Sequence, residues 1–121
     1  RFPVWTRQQT QSDPEKDPAP EYDVIINVAN WPEKRSYHWK TLLQARAIEN
    51  QSYVVGVNRI GLDGNGLNHS GDSMVIDPFG ELLYHCSGKE DINTVVLEKT
   101  RLESIRTKFS FWRDSDQFLI I

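Results

Sequence analysis

Val24-Ile25-Ile26-Asn27-Val28 is an almost unbroken β-branched apolar run, and its reading decides the fold class. A strand with one wet face alternates apolar and polar side chains, whereas a run without alternation belongs to a strand covered on both faces, as in parallel sheets flanked by helices. The run is therefore expected to be a central strand. Tyr53, Val54, Val55 and Val57 repeat the signal within residues 52–58. Between the two, Ser36 stands where a helix cap is expected, and Trp39, Leu42, Leu43 and Ala47 share one helical face of residues 36–50. Strand, helix and strand with short joints spell a βαβ unit, with a right-handed crossover if the strands are parallel.

Beyond this unit, residues 60–71 hold four of the seven glycines, including both in Asp63-Gly64-Asn65-Gly66, which predicts an extended loop with turns. Residues 73–76 and 82–86 flank Asp77-Pro78-Phe79-Gly80, where Pro at the second turn position and Gly at the fourth predict a β-hairpin closed by a type I turn. Residues 93–97 offer a further strand, and residues 98–108 a further helix with Leu102, Ile105 and the adjoining Phe109 on one side. Residues 10–21 are polar and carry Pro14, Pro18 and Pro20, which predicts a surface loop, and residues 118–121 form an apolar tail. The fold class is α/β.

At 121 residues there is room for one compact domain. The net charge of -3 and the scattering of lysines and arginines give no footprint for nucleic acid or anionic lipid. No apolar stretch approaches the roughly 20 residues of a membrane span, so no membrane partner is expected. The start at Arg1-Phe2-Pro3 is neither a signal peptide nor an initiator methionine, which suggests a chain cut from something longer. A lone Cys86 excludes an internal disulfide framework and a multi-cysteine zinc site, and makes the cytoplasm the expected location.

Ligands of open α/β sheets bind beyond the carboxyl ends of the strands, which directs attention to residues 29–35 and 60–71. Asn30 offers an amide donor and acceptor, Trp31 a flat apolar wall with one N–H, and Arg35 a fork suited to a carboxylate. Together they suit a small polar substrate. Asn30 turning the chain, Trp31 filling the core and Arg35 in solvent satisfy the same sequence. Glu49 falls at the edge of the apolar arc, three residues after Arg46, where the two charges can meet, so a structural pairing is expected of it. His38 stands about three turns from Glu49, too far for a dyad. His85 and Cys86, adjacent in a strand, point to opposite faces, which leaves Cys86 a passive thiol. The Asp63 segment lacks the glutamate a calcium loop needs at its twelfth position, where Met74 stands. These residues contain no complete catalytic constellation.

Arg1-Phe2-Pro3, Ala29-Asn30-Trp31-Pro32, His38-Trp39, Ala45-Arg46-Ala47-Ile48-Glu49-Asn50-Gln51, Gly71-Asp72-Ser73 and Asp77-Pro78-Phe79-Gly80 stand in order across almost the whole chain. Together they resemble the nitrilase superfamily of carbon-nitrogen hydrolases, and most of all its omega-amidase type members. The resemblance implies a four-layer αββα sandwich, of which residues 1–121 supply about half as the C-terminal portion of one hydrolase domain. The resemblance implies too that members pair sandwich to sandwich, so a homo-oligomer is expected, and half a sandwich exposes a core face, which predicts a sticky surface with self-association or marginal stability. The resemblance also implies a nucleophilic cysteine four residues before Arg1, with a glutamate base and a lysine further upstream, so no catalytic residue is expected within the chain. Asn30 and Trp31 should line the pocket for a small-molecule amide. Arg35 should hold the carboxylate of an omega-amide such as 2-oxoglutaramate, Arg1 should brace the site, and Glu49 should be structural near it. Neither a metal nor an organic cofactor is implied. Two rivals stand beside this reading. One is a non-catalytic interaction module that docks through an exposed βαβ face and residues 118–121. The other is an N-carbamoyl amino acid hydrolase or true nitrilase on the same scaffold.

Overall fold

Strands β1 (Val24–Ala29) and β2 (Tyr53–Asn58) pair in parallel, from Val24 opposite Tyr53 to Ala29 opposite Asn58, with helix α1 (Ser36–Asn50) crossing between them. The computed structural model describes residue 20 and residues 22–114; Arg1, nearly all of the 10–21 loop and the 118–121 tail lie outside the described residues. The βαβ unit forms as expected, but among the described residues β1 is not central: it has a neighbour on one side only. Ile25 packs against the helix, while Ile26 is 66% and Val28 82% exposed on the opposite face. The run has the composition for two covered faces, and α1 covers one.

The helix also starts differently. Glu33–Arg35 form a 3-10 turn that feeds straight into α1, so Ser36 is helical and Arg35 takes the cap position with no side-chain cap bond. Trp39, Leu43 and Ala47, four residues apart, are buried over Ile25, Val54, Met74 and Ile76. Gly56 marks the closest approach of helix and sheet: a Cβ there would strike Leu43 Cδ1 and stand 2.9 Å from Trp39 Cζ2. The helix lies in a slot that the missing side chain leaves open.

Residues 60–71, expected as a loop, form a hairpin. Strand β3 (Ile60–Leu62) pairs antiparallel with the start of β4 (Asn68–Ile76), Ile60 facing Ser70 and Leu62 facing Asn68. Asp63 closes the turn, its Oδ1 accepting from the N–H groups of Asn65 and Leu67, each at 2.9 Å. Gly64 and Gly66 mark the turn, while Gly61 lies within β3 and Gly71 within β4, so the glycines do not mark a long loop. Past a bulge at Gly71 and Asp72, β4 pairs with β2 on one side and with β5 (Leu82–Ser87) on the other. The expected turn joins β4 to β5, with Gly80 at φ 90° and its N–H on Asp77 O at 2.9 Å.

Residues 93–97 do not form the expected strand. Val96 and the preceding Ile92 are exposed, and no described strand runs alongside; β propensity yields no ladder without a partner. Helix α2 (Lys99–Lys108) buries only Leu102 fully and is otherwise fastened by arginines. Arg101 Nε donates to Asp77 Oδ2 at 2.7 Å. Arg106 donates to Gln51 O at 3.0 Å, Asp23 Oδ1 at 2.6 Å and Tyr22 O at 2.7 Å.

Candidate functional site

Because Ala29 lies opposite Asn58, the chain leaves β1 and β2 at the same edge of the sheet. Asn58 joins the two exits. Its Oδ1 accepts from Trp31 N–H at 2.8 Å, and its Nδ2 donates to Trp31 O at 2.9 Å and to Gly71 O at 2.8 Å. Ser73 Oγ accepts from Asn58 N–H at 3.0 Å and lies 3.2 Å from Asn58 O. Trp31 Nε1 donates to Arg35 O at 2.7 Å, and the Arg35 guanidinium stands over the Trp31 ring, 5.4 Å from its centroid. Trp31 in turn packs on Trp39 with ring centroids 5.7 Å apart. The structure thus brings Trp31 and Arg35 together, with Asn30 exposed beside them. Arg35 is exposed as well, and none of the ion pairs among the described residues involves it.

Beneath this rim, Asp72 is buried at the bulge of β4 with φ 52°, a left-handed conformation that a non-glycine residue holds only when its surroundings enforce it. Ser70 Oγ donates to its Oδ2 at 2.6 Å, His85 Nε2 lies 2.9 Å from its Oδ1, and Lys40 Nζ stands 3.6 Å from the same oxygen. Burial pushes the Asp72 carboxyl up, but the hydrogen bonds from Ser70 and His85 and the charge of Lys40 outweigh it and hold the group below its ordinary 3.8. A carboxylate depressed in the folded state stabilises above its unfolded pKa, and that contribution disappears as pH falls through the folded value. The Asp72→Asn variant should therefore lose about 1–3 kcal/mol near neutral pH, where charge-assisted hydrogen bonds are lost, and show a shallower further fall below about pH 4. Urea denaturation at neutral pH and at about pH 3 checks both limbs, and parallel acid limbs in the two proteins would refute the assignment.

The other candidates lie elsewhere. Glu49 pairs with Arg46, the meeting their spacing predicts, near the far end of α1, a helix of 15 residues and hence about 20 Å long. His38 is exposed at the start of that helix, its ring edge-on to Tyr37. His85 turns to Asp72 while Cys86 is buried with its Sγ 3.6 Å from Lys89 O, so the two part as strand alternation requires. Among the described residues no cluster of three or more His, Cys, Asp or Glu is placed to hold a metal ion. A cleft of about 840 Å³ opens on the face away from α1, lined by Val57, Asn58, Arg59, Ser73, Tyr84 and Cys86 among others; Asn30, Trp31 and Arg35 stand outside it. On its wall, Tyr84 donates to Asp91 at 2.7 Å, and that bond pushes the phenol well above its ordinary range. Sequence reasoning passed over Asn58 and Asp72 as site residues. The available signals were a polar residue closing an apolar strand and an acidic residue following glycine inside another.

Residues 19–107 match the family model described as carbon-nitrogen hydrolase. The chain is 44% identical over 98% of its length to omega-amidase YafV of Escherichia coli strain K12, of which it covers 43%. It is 32% identical over 94% of its length to the 2-oxoglutaramate amidase of Bacillus subtilis strain 168, covering 40% of that protein. The structure superimposes with a TM-score of 0.87 on XC1258 from Xanthomonas campestris, a CN-hydrolase superfamily protein solved with an arsenic adduct in its active site, at 41% identity, covering 98% of this chain and 44% of that one. The chain thus spans under half the length of the relatives it matches, and its helix-covered sheet is half of an αββα sandwich. No helix among the described residues is long and apolar enough to cross a membrane.

Proposed function

The chain belongs to the carbon-nitrogen hydrolase family, and from that premise we propose that it supplies the substrate-rim half of an amidase that releases ammonia from the omega-amide of a small dicarboxylic acid. The amidase class draws on the two amidases it resembles along almost its whole length. The acidic substrate draws on one observation: at the carboxyl end of β1, Arg35 presents a guanidinium backed by the Trp31 ring and engaged by no carboxylate among the described residues. A guanidinium fork held in this way suits the far carboxylate of the substrate, and the Trp31 face suits its methylene chain.

The reaction implied by the family starts with a thiolate that bonds to the amide carbon. The C–N bond then breaks, the nitrogen leaves as ammonia with an added proton, and water cleaves the thioester to free the acid and the thiol. The cysteine, glutamate and lysine for these steps would come from upstream of Arg1. Cys86, buried and turned toward Lys89, is not the nucleophile. Arg1 would brace the site from beside that cysteine, and the bare face bearing Ile26, Val28 and Val57 would pack on the other half of the sandwich, in a homo-oligomer working in the cytoplasm.

The direct test is ammonia release from a panel of omega-amides, by a polypeptide extended upstream through the expected triad and by the 121 residues alone. Activity confined to the extended protein is the expected result; silence from both would favour an interaction module. In the extended enzyme, Arg35→Ala should lower kcat/KM about 10–100-fold on an acidic omega-amide and spare its neutral-ended analogue, as loss of one charge-assisted contact requires. Unchanged selectivity would remove Arg35 from the substrate.

A further inference from the structure

We infer that Asn58 is the positioning residue of the substrate rim, an inference that rests on the amidase reading for its link to substrate but not for its geometry. An asparagine side chain carries a carbonyl and an N–H pair, the same groups as a peptide unit. Strand pairing between β1 and β2 ends at Ala29 and Asn58. Beyond that rung the Asn58 amide takes the place of a neighbouring strand, accepting from Trp31 N–H and donating to Trp31 O. The ladder is extended into the loop by a side chain. The second Nδ2 hydrogen reaches Gly71 O at 2.8 Å, so the loop is tied to β4 as well, and Ser73 Oγ pins the backbone of Asn58 itself. Both amide hydrogens and the amide oxygen are engaged, which fixes the side chain in orientation as well as place.

The constraint continues to the substrate-facing group. Trp31, once its main chain is fixed, holds Arg35 twice, through the indole N–H on Arg35 O and through the ring under the guanidinium. Asn58 therefore acts through Trp31 on Arg35 and need not touch substrate. Its side chain is only half-buried, so water can take over the freed loop groups in a variant. The fold should survive while the loop loses its aim, and misplacement at the ångström scale is costly to a bound substrate.

The test uses the extended enzyme with Asn58→Ala, Asn58→Asp and Arg35→Ala. It reads kcat and KM for an acidic omega-amide and its neutral-ended analogue, with residue-resolved amide exchange at Trp31. Asn58→Ala should lose about tenfold or more in kcat/KM on the acidic substrate, mainly through KM, and its selectivity should fall toward that of Arg35→Ala. Exchange at the Trp31 N–H should quicken at least about tenfold, with the β1–β2 ladder amides unchanged. Asn58→Asp keeps the acceptor for Trp31 N–H but turns a carboxylate on the Trp31 and Gly71 carbonyls, so it should keep Trp31 protected and recover selectivity only in part. Unaltered Trp31 exchange in Asn58→Ala overturns the inference, as does an equal loss on both substrates with the whole ladder loosened. If Arg35→Ala leaves selectivity intact while Asn58→Ala still frees Trp31, the positioning role stands and the carboxylate reading falls.

Discussion

Trp39→Ala should destabilise the protein by about 3–5 kcal/mol, the range for emptying a buried aromatic site. The indole is 1% exposed, lies in the slot above Gly56, and stacks on Trp31. Its Nε1 donates to Asp72 O at 2.8 Å, across a sequence separation of 33 residues. Removing it opens a void between α1 and the sheet and strips the Asp72 carbonyl of its partner, at a residue with a left-handed backbone. Trp39→Phe separates the two effects: it keeps most of the volume and loses the hydrogen bond, and should cost roughly 1–2 kcal/mol. Urea denaturation of both variants gives the comparison. Equal losses in the two would mean that the slot closes over the smaller side chain and that packing here is soft.

Asp77→Ala should cost about 3 kcal/mol. The carboxylate is fully buried and works in two directions. Its Oδ1 accepts from Phe79 N–H at 2.9 Å and Glu81 N–H at 2.8 Å inside the β4–β5 turn, while Oδ2 takes Arg101 from α2. Alanine leaves two turn amides without this acceptor and the Arg101 guanidinium without its buried counter-charge. The Arg101 side chain is 41% exposed and also reaches Glu81 Oε2 at 2.7 Å, so water and Glu81 soften the second loss, and the estimate sits at the low end for a broken buried pair. Asp77→Asn retains an acceptor for the turn and should cost about half as much. A double-mutant cycle with Arg101→Ala measured by thermal unfolding isolates the link to the helix; a coupling near zero would show that α2 is held by other contacts.

The parts of this fold that were legible in the sequence are those whose partners lie close along the chain. The 24–58 unit and the hairpin at Asp77 declare themselves through periodicity and turn chemistry, and both are present. Two of the differences share one cause. Ile26 and Val28 promised a covered strand, and residues 93–97 a paired one, because composition reports what a segment is able to bury or pair with and not whether a partner is there. The hairpin at residues 60–71 was hidden by four glycines, of which two serve one short turn and two sit within its strands. At the candidate site, the position of the loop carrying Asn30, Trp31 and Arg35 at the carboxyl end of β1 was legible, and the rule that ligands gather at strand ends is what makes that loop a candidate. Asn58 and Asp72 were not, since the Asn58 side chain acts on the main chain of Trp31, 27 residues away, and the main-chain oxygen of Asp72 accepts from the Trp39 indole, 33 residues away, which no local pattern encodes.

The Asn58 clamp grips only main-chain atoms of Trp31 and Gly71, and the Trp39 indole likewise grips the main-chain oxygen of Asp72. Bonds of this kind are indifferent to the identity of the side chains whose backbone they hold. The exposed side chains of Asn30 and Arg35 take no part in these bonds, so substitutions there should leave the platform that presents them in shape. On the proposed function, such a division separates the inheritance of architecture from the exploration of new substrates: what the rim recognises would be retuned one side chain at a time, without first rebuilding the ground it stands on.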